Sequence, residues 1–196
     1  MNLANKLTVA RVCMVPFYIL FMELGGFCNS ILALLVFSIA SITDFFDGKI
    51  ARENKTVTSL GIFLDPLADK LLISAAFICF VDIPMLGITA WMVIAIIARE
   101  FLITGLRSIA AYKNIIIPAD KSGKFKITSQ MIVIITIMII LIVKEAFLKF
   151  YDSGVYATLV VIMDKIPFWA TLCATILTIV SGVNYVWKYR KLLGEK

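Results

Sequence analysis

Four aspartates, Asp44, Asp47, Asp65 and Asp69, lie close together in a sequence that is otherwise rich in apolar residues. They stand at or beside apolar runs that are long enough to be membrane helices. A carboxylate in hydrocarbon costs about 2.5 to 3.5 kcal/mol on insertion scales, so four of them need a compensating partner. Ligands that offer only oxygen select hard cations such as Mg²⁺, Mn²⁺ or Ca²⁺ over zinc or copper. The four aspartates therefore predict a site for bound divalent metal.

The spacing of the motif places these carboxylates on two helix faces, because residues three, four, seven or eight apart share a face. The two stripes are Asp44, Asp47, Gly48, Ala51 and Arg52 on one helix, and Gly61, Asp65 and Asp69 on the next. The Gly and Ala residues allow a helix or a planar ligand to approach closely. Four carboxylates can hold two metals about 3.5 to 4 Å apart, an arrangement that clamps a phosphoryl group during displacement. With Arg52 as an anion-binding group, the motif indicates phosphoryl transfer.

The composition restricts both the class of protein and its chemistry. Hydrophobic residues make up 61% of the 196 residues, against about 45 to 50% in soluble domains, so we expect an integral membrane protein. Histidine is absent, which excludes an imidazole base or nucleophile. The four cysteines lack CxxC spacing, so we expect small buried hydrophobes rather than a zinc site or a disulfide framework. The net charge of +6 could suggest nucleic acid, but the placement of the basic residues indicates a membrane and no nucleic-acid partner.

Six apolar stretches are long enough to be the membrane helices that position the aspartates. They cover 7–24, 30–50, 60–81, 85–111, 126–148 and 155–187. Pro167 divides the last stretch, which predicts a short entry segment followed by a span from about 167 to 187. If the N-terminus is cytoplasmic, only Lys144, Lys149 and Lys165 of the 19 basic residues lie outside. The positive-inside rule then places both termini in the cytoplasm and the aspartates just inside the inner leaflet. The sequence thus predicts a single domain over 1–196, an all-α integral membrane bundle of six transmembrane helices.

Basic residues also gather on the fourth and fifth predicted helices. Arg99 and Arg107 are eight residues apart and share a helix face, while Lys124 and Lys126 open the next span. Four cations are too many for a neutral alcohol and suit a dianionic phosphate. The alternative is that they are ordinary positive-inside anchors beside anionic lipid. We predict that these four residues bind the phosphate of an acceptor substrate.

The aspartate motif resembles the signature of the CDP-alcohol phosphatidyltransferase family at every fixed position. The matching string is Asp44-x-x-Asp47-Gly48-x-x-Ala51-Arg52, eight residues, then Gly61-x-x-x-Asp65-x-x-x-Asp69. The resemblance covers essentially the whole chain, because the family also has six membrane helices. It implies a homodimer that transfers the phosphatidyl group of CDP-diacylglycerol to an alcohol and releases CMP.

The resemblance also implies roles for the residues of the motif. Asp44, Asp47 and Asp65 look like ligands of two divalent metal ions, Mg²⁺ or Mn²⁺. Asp69 looks like a further ligand and the base that deprotonates the acceptor hydroxyl. The nucleotide-binding residues would be Asp47, Gly48, Ala51, Arg52 and Gly61.

Three further strings, AREFLITGLRS, KSGKFKITSQ and the opening NLANKLTVARV, are similar to those of bacterial family members that use glycerol 3-phosphate. Those members usually begin with Ile-Pro-Asn where this chain has Leu3-Ala4-Asn5, but Asn5, Thr8 and Arg11 are in place. The missing proline weakens the prediction of a helix start there. The resemblance implies an enzyme of the bacterial inner membrane whose active site faces the cytoplasm, with CDP-diacylglycerol, glycerol 3-phosphate and membrane lipids as its partners.

Two alternatives stay open at the level of the sequence. Within the same family, the acceptor could be inositol phosphate or another alcohol. In a different class, a divalent-cation transporter could carry the ion on its intramembrane aspartates. A transporter predicts carboxylates near the bilayer midplane and broken helices in related halves of the chain. The sequence instead places the aspartates at one face and contains no paired halves.

Overall fold

Six α-helices make up most of the chain that the structure describes. In this computed structural model the described residues are 3–54, 59–112, 121–150 and 153–190, with side chains for 7–43, 67–68, 70–112, 126–147, 149 and 163–190. The helices are α1 Leu3–Leu24, α2 Phe27–Asn54, α3 Ser59–Val81, α4 Ala90–Tyr112, α5 Lys121–Phe150 and α6 Ser153–Tyr189. A 3₁₀ turn, Pro84–Leu86, joins α3 to α4. The predicted all-α class is confirmed, since the described residues contain no strand.

The outer surface of this bundle is apolar, as a surface in contact with lipid must be. Large side chains such as Phe17, Ile94 and Trp169 point away from the core and are exposed. Among the described residues, three helical stretches are long and apolar enough to cross a membrane, namely Leu7–Leu24, Lys126–Phe147 and Met163–Tyr189. Phe27–Thr43 and Lys70–Val81 are shorter apolar stretches. The chain is a membrane protein, and the six spans and their orientation stay predictions.

Contacts between the helices run around a ring. In the described residues α1 packs on α2 and α3, α2 on α5, α5 on α6, α6 on α4, and α4 on α3. The centre of the bundle is aromatic and aliphatic: the rings of Tyr18 and Phe37 are 5.9 Å apart, and the Tyr18 hydroxyl donates to the Met138 sulfur at 4.0 Å. The two helices that carry the aspartates, α2 and α3, therefore both pack against α1.

A two-glycine turn reverses the chain between α1 and α2. Gly25 and Gly26 have φ angles of 59° and 82°, in the left-handed region where a side chain is strained. The Asn29 side chain closes the turn by donating to the Gly25 carbonyl at 2.8 Å. From Phe27 the helix rises about 25 Å before it reaches Asp44. The aspartates of α2 thus lie near the end of the hairpin that is opposite to this turn.

Pro167 does not divide the last helix, so the prediction of a separate entry segment was wrong. The helix α6 is continuous from Ser153 to Tyr189, with Pro167 inside it. A proline removes one backbone donor and crowds the carbonyl four residues earlier. Membrane bundles tolerate this because neighbouring helices and local adjustments satisfy the freed group. Pro16 lies inside α1 in the same way.

The cysteines also differ from the prediction. Cys13, Cys28 and Cys173 are exposed on the bundle surface, and Cys79 is half-buried, so the expectation of buried core positions was wrong. The surroundings of such a surface are apolar in a membrane. A small apolar side chain therefore needs no burial inside the protein.

An ion pair with a buried lysine and a partly exposed aspartate joins three elements near the predicted outer end of the bundle. The Lys144 amino group on α5 pairs with the Asp164 carboxylate on α6, and it lies 3.9 Å from the sulfur of Met85 in the 3₁₀ turn. Lys144 is only 3% exposed. An unpaired ammonium within an apolar helix is costly, so this contact fixes α5, α6 and the turn to one another.

Candidate active site

The aspartate motif is helical throughout the part that the structure describes. Asp44 and Asp47 belong to α2, and Asp65 and Asp69 belong to α3. On a helix the three- and four-residue spacings place each pair on one face, as predicted. The side chains of these four aspartates, and those of Gly48, Ala51, Arg52 and Gly61, lie outside the described residues. Their ligand and nucleotide-binding roles stay predictions.

The basic cluster is held by a carboxylate that the sequence analysis did not select. The amino group of Lys126 on α5 pairs with Oε1 of Glu100 on α4, and Nη1 of Arg99 lies 3.5 Å from the same oxygen. Lys126 is 3% exposed and the Arg99 side chain 10% exposed. Two largely buried cations thus share one carboxylate. Such a cluster can attract an anion while keeping its cations fixed in place.

Arg99 also contacts α6, where Gly182 makes room for it. Its Nη2 donates to the Ser181 hydroxyl at 2.9 Å, and its buried Nε has no hydrogen-bond partner among the described residues. A Cβ at position 182 would come within 2.8 Å of the Arg99 Cγ. Gly182 therefore determines how closely the Arg99 side chain packs on α6.

Replacing this glycine should destabilise the bundle. In Gly182→Ala the new methyl group pushes the Arg99 stem away from Ser181, and overpacking of this kind costs about 1 to 3 kcal/mol. Gly105→Ala on α4 is the matched control, because a Cβ there meets nothing within 4 Å and alanine favours a helix by about 0.5 to 1 kcal/mol over glycine. We expect the thermal unfolding midpoint in detergent to fall for Gly182→Ala and to hold or rise for Gly105→Ala. Equal midpoints for the two variants would contradict the close packing of Arg99.

Arg107 lies on the same helix but has a different partner. Its Nε donates to the Tyr185 hydroxyl at 3.2 Å, and its Cζ is 5.7 Å from the centroid of the Tyr185 ring. The rings of Tyr185 and Tyr189 pack 4.8 Å apart and support this contact. In contrast to Arg99, the Arg107 side chain is exposed, so its guanidinium can reach a solute.

The structure describes the side chains of only some of the remaining predicted residues. The side chain of Lys124 lies outside the described residues, and Thr8 and Arg11 are buried on α1. Near Lys126, the buried Gln130 donates to Thr178 at 3.2 Å and links α5 to α6. Glu100 could have been noticed from the sequence, because it is a second charge beside Arg99 in an apolar helix. Ser181 and Tyr185 carry no such signal.

An apolar groove leads along α2 and α5 toward the aspartate motif. It is lined by Phe37, Ser38, Ser41, Ile42, Met131 and Ile135 and has a volume of about 320 Å³. The buried Ser41 hydroxyl has no hydrogen-bond partner among the described residues. Along the helix axis, Ser41 lies about 4.5 Å before Asp44, and Ser38 lies about 9 Å before Asp44. A chain-like apolar ligand lying in this groove would have its polar end near the aspartates.

The comparisons with known proteins all indicate the same family. Residues 1–180 match the family described as CDP-alcohol phosphatidyltransferase. The chain is 41% identical to the CDP-diacylglycerol–glycerol-3-phosphate 3-phosphatidyltransferase of Bacillus subtilis, over 70% of this chain and 77% of the relative. It is 36% identical to the protein of the same name from Rickettsia typhi, over 94% of both chains. It is also 34% identical to a probable phosphatidylglycerophosphate synthase of Mycobacterium tuberculosis, over 98% of this chain and 84% of the relative.

Proposed function

The chain belongs to the CDP-alcohol phosphatidyltransferase family, and from this premise we propose that it transfers the phosphatidyl group of CDP-diacylglycerol to glycerol 3-phosphate. The products are phosphatidylglycerophosphate and CMP. The observation that carries the choice of acceptor is the 36% identity over 94% of both chains with a relative named for this reaction. The basic residues on α4 and α5 support an acceptor that bears its own phosphate.

The donor set of the motif fits the divalent metal on which this family depends. Asp44, Asp47, Asp65 and Asp69 offer only carboxylate oxygens, which suit Mg²⁺ or Mn²⁺. They would hold two ions, whose charge would offset that of the donor phosphates and make the acceptor hydroxyl more acidic. Chelation should abolish turnover, and added Mg²⁺ or Mn²⁺ should restore it.

The reaction requires one bond to form and one to break. The acceptor oxygen attacks the lipid-side phosphorus of the donor, the bond from that phosphorus to the CMP oxygen breaks, and Asp69 takes the hydroxyl proton. Asp47, Gly48, Ala51, Arg52 and Gly61 bind the nucleotide. A single direct displacement is economical because the chain has no histidine to serve as nucleophile or base.

The acceptor phosphate is bound by Arg99, Arg107, Lys124 and Lys126. Two features of the described residues support this assignment. Glu100 holds Arg99 and Lys126 close together, and Arg107 presents an exposed guanidinium on Tyr185. These cations come from α4 and α5, and α3 packs against both of those helices. The acceptor hydroxyl can thus approach Asp69 while its phosphate stays on the basic residues.

The donor lipid reaches the site from within the bilayer. One of its acyl chains lies in the α2/α5 groove, and the Ser41 hydroxyl donates to an ester carbonyl of the glycerol. The rise of about 4.5 Å from Ser41 to Asp44 suits a glycerol backbone lying just beyond a phosphate at the aspartates. This arrangement keeps the lipid in the membrane and its nucleotide at the surface.

The orientation follows from the distribution of charge. All basic residues except Lys144, Lys149 and Lys165 lie on one side if six helices cross the membrane, so that side is cytoplasmic. The protein then lies in the bacterial inner membrane with both termini and the active site facing the cytoplasm. By its resemblance to the family it works as a homodimer.

An acceptor panel tests the proposal. The purified full chain is incubated with CDP-diacylglycerol, Mg²⁺ or Mn²⁺, and glycerol 3-phosphate, inositol phosphate, serine or glycerol, and CMP release is measured. We expect glycerol 3-phosphate to give by far the fastest release. Release with inositol phosphate alone would make the acceptor assignment wrong. Metal uptake into proteoliposomes without CMP release would make the enzyme assignment wrong for this chain.

Loss of the Arg107 guanidinium should weaken acceptor binding more than catalysis. A hydrogen bond to a charged group contributes about 1.5 to 3 kcal/mol, so Arg107→Ala should raise the KM for glycerol 3-phosphate roughly 10- to 100-fold. Because the contact is remote from the reacting hydroxyl, kcat should change much less. Tyr185→Phe, which keeps the ring and loses the hydroxyl, should have a smaller effect. An unchanged KM in Arg107→Ala would leave Arg107 as a structural charge.

A further inference from the structure

A second groove, separate from the α2/α5 groove, runs between α4 and α6 on the bundle surface. It has a volume of about 530 Å³, and its surface is almost entirely apolar. Ala98 and Leu102 form its wall on α4, and Ile179, Val183 and Trp187 form its wall on α6. The small side chain of Ala98 keeps the groove open between larger neighbours. Its shape and surface suit a single hydrocarbon chain.

The walls of this α4/α6 groove are open to the surroundings of the bundle. Val183 is 62% exposed and Trp187 is 69% exposed, and Leu102 and Ile179 are exposed as well. In a membrane protein such a surface meets lipid. The most accessible occupant of the groove is therefore a chain from a neighbouring lipid.

One end of the groove carries a positive charge. Arg190 lines it there, and the Arg190 Cζ is 5.0 Å from the centroid of the Trp187 ring. Within the part of the chain that the structure describes, Arg190 forms no ion pair with a carboxylate. Tryptophan and arginine at the end of a membrane helix are typical of the depth at which lipid headgroups lie. An exposed guanidinium at that depth attracts a phosphate.

We propose that the α4/α6 groove binds an anionic glycerophospholipid, with one acyl chain along its walls and the phosphate on Arg190. Basic pockets between membrane helices bind anionic headgroups in this way. A zwitterionic lipid would fill the same walls but would gain less from the cation. The site lies on a different pair of helices from the α2/α5 groove and contains none of the four aspartates, although Arg99, assigned above to the acceptor phosphate, also lines it. It is thus a lipid site apart from the donor groove, and it borders the basic cluster at Arg99.

Trp187 provides a direct probe of this site. The chain has three tryptophans, Trp91, Trp169 and Trp187, so the Trp91→Phe, Trp169→Phe double variant fluoresces from the groove alone. This full-length protein is reconstituted in phosphatidylcholine bilayers with increasing amounts of chain-brominated phosphatidylglycerol or of phosphatidylcholine with the same brominated chains. We expect both lipids to quench Trp187, with a relative binding constant about fivefold higher for phosphatidylglycerol.

Matched variants separate the headgroup contact from the chain contact. Arg190→Gln should remove the preference for the anionic lipid, whereas Lys188→Gln should retain it, because Lys188 contacts Tyr189 and does not line the groove. Ala98→Phe should reduce quenching by both lipids, because the ring fills the groove. Ile94→Phe, an exposed position on the same helix outside the groove, should leave quenching unchanged. Circular dichroism and size-exclusion profiles check that each variant is folded.

Several results would overturn the proposal. Equal quenching by the two lipids, or a preference that survives Arg190→Gln, would mean that the groove does not recognise an anionic headgroup. Absence of quenching by either lipid, with cross-linking between copies that depends on Ala98→Cys, would mean that a second copy covers the groove. Loss of CMP release in Arg190→Gln at saturating CDP-diacylglycerol would assign the groove to the donor. Retained release with a lost lipid preference is the result that we expect.

Discussion

Asp69→Asn should abolish nearly all phosphatidyl transfer while leaving the helices in place. The amide has the size of the carboxylate but cannot take the proton of the acceptor hydroxyl. General-base catalysis typically contributes 10²- to 10⁴-fold, so we expect kcat, measured as CMP release at saturating substrates, to fall by roughly that factor. Asp82→Asn is a matched control, because Asp82 is an exposed aspartate just beyond the end of the same helix. That control should retain full turnover.

The affinity for metal distinguishes a catalytic base from a metal ligand among the four aspartates. If Asp69 acts mainly as the base, Asp69→Asn should retain much of the affinity for Mn²⁺ measured by calorimetry. Asp44→Asn should lose affinity and turnover together, because it removes a ligand. Near-normal turnover in Asp69→Asn would exclude it as the base. Equal losses of Mn²⁺ affinity in the two variants would mean that Asp69 acts chiefly as a ligand.

Glu100→Gln should destabilise the protein and weaken its affinity for glycerol 3-phosphate. Glu100 is the carboxylate that Arg99 and Lys126 share, and all three side chains are largely buried. Removing one member of a buried ion pair leaves an uncompensated charge, at a cost on the order of 3 kcal/mol. We expect a lower unfolding midpoint in detergent. We also expect a KM for the acceptor that is roughly 10-fold higher, because Arg99 and Lys126 lose the carboxylate that positions them, and this outweighs the loss of one negative charge. Glu145→Gln, on α5 and away from the cluster, should change neither.

A second substitution distinguishes stability from phosphate binding. Lys126→Met in the Glu100→Gln background removes the ammonium that has lost the Glu100 carboxylate, so it should recover part of the lost stability, and the double-mutant cycle should give a clear coupling energy. It should not restore the acceptor KM, because a cation that binds the phosphate is still missing. A double variant with the sum of the two single losses would mean that Glu100 and Lys126 are not coupled.

The sequence predicted what depends on local pattern. The helical state of the segments with Asp44, Asp47, Asp65 and Asp69 follows from three- and four-residue spacing in apolar sequence, and the family follows from the same string. The sequence pattern did not predict the partners of the basic residues. Glu100 is 26 residues from Lys126, and Ser181 is 82 residues from Arg99. Periodicity tells which residues share a helix face, but not which faces meet.

Two errors have a common physical origin. Pro167 was expected to divide the last apolar stretch into an entry segment and a span, and the cysteines were expected to be buried. Both expectations use rules that come from proteins surrounded by water. In a bilayer the backbone is driven to remain helical even at a proline. An apolar side chain such as Cys173 is also as well placed on the surface as inside. Both of the rules that failed assume that water surrounds the protein.

The ion pair between Lys144 and Asp164 sets a condition on the biogenesis of the protein. Lys144 lies three residues from the end of the apolar stretch Lys126–Phe147, so its charge opposes insertion by less than the roughly 2.5 to 3.5 kcal/mol of a charge at the helix centre. The compensating carboxylate is synthesised 20 residues later, on the next helix. The two helices are therefore most stably inserted as a hairpin, after the ribosome has completed both.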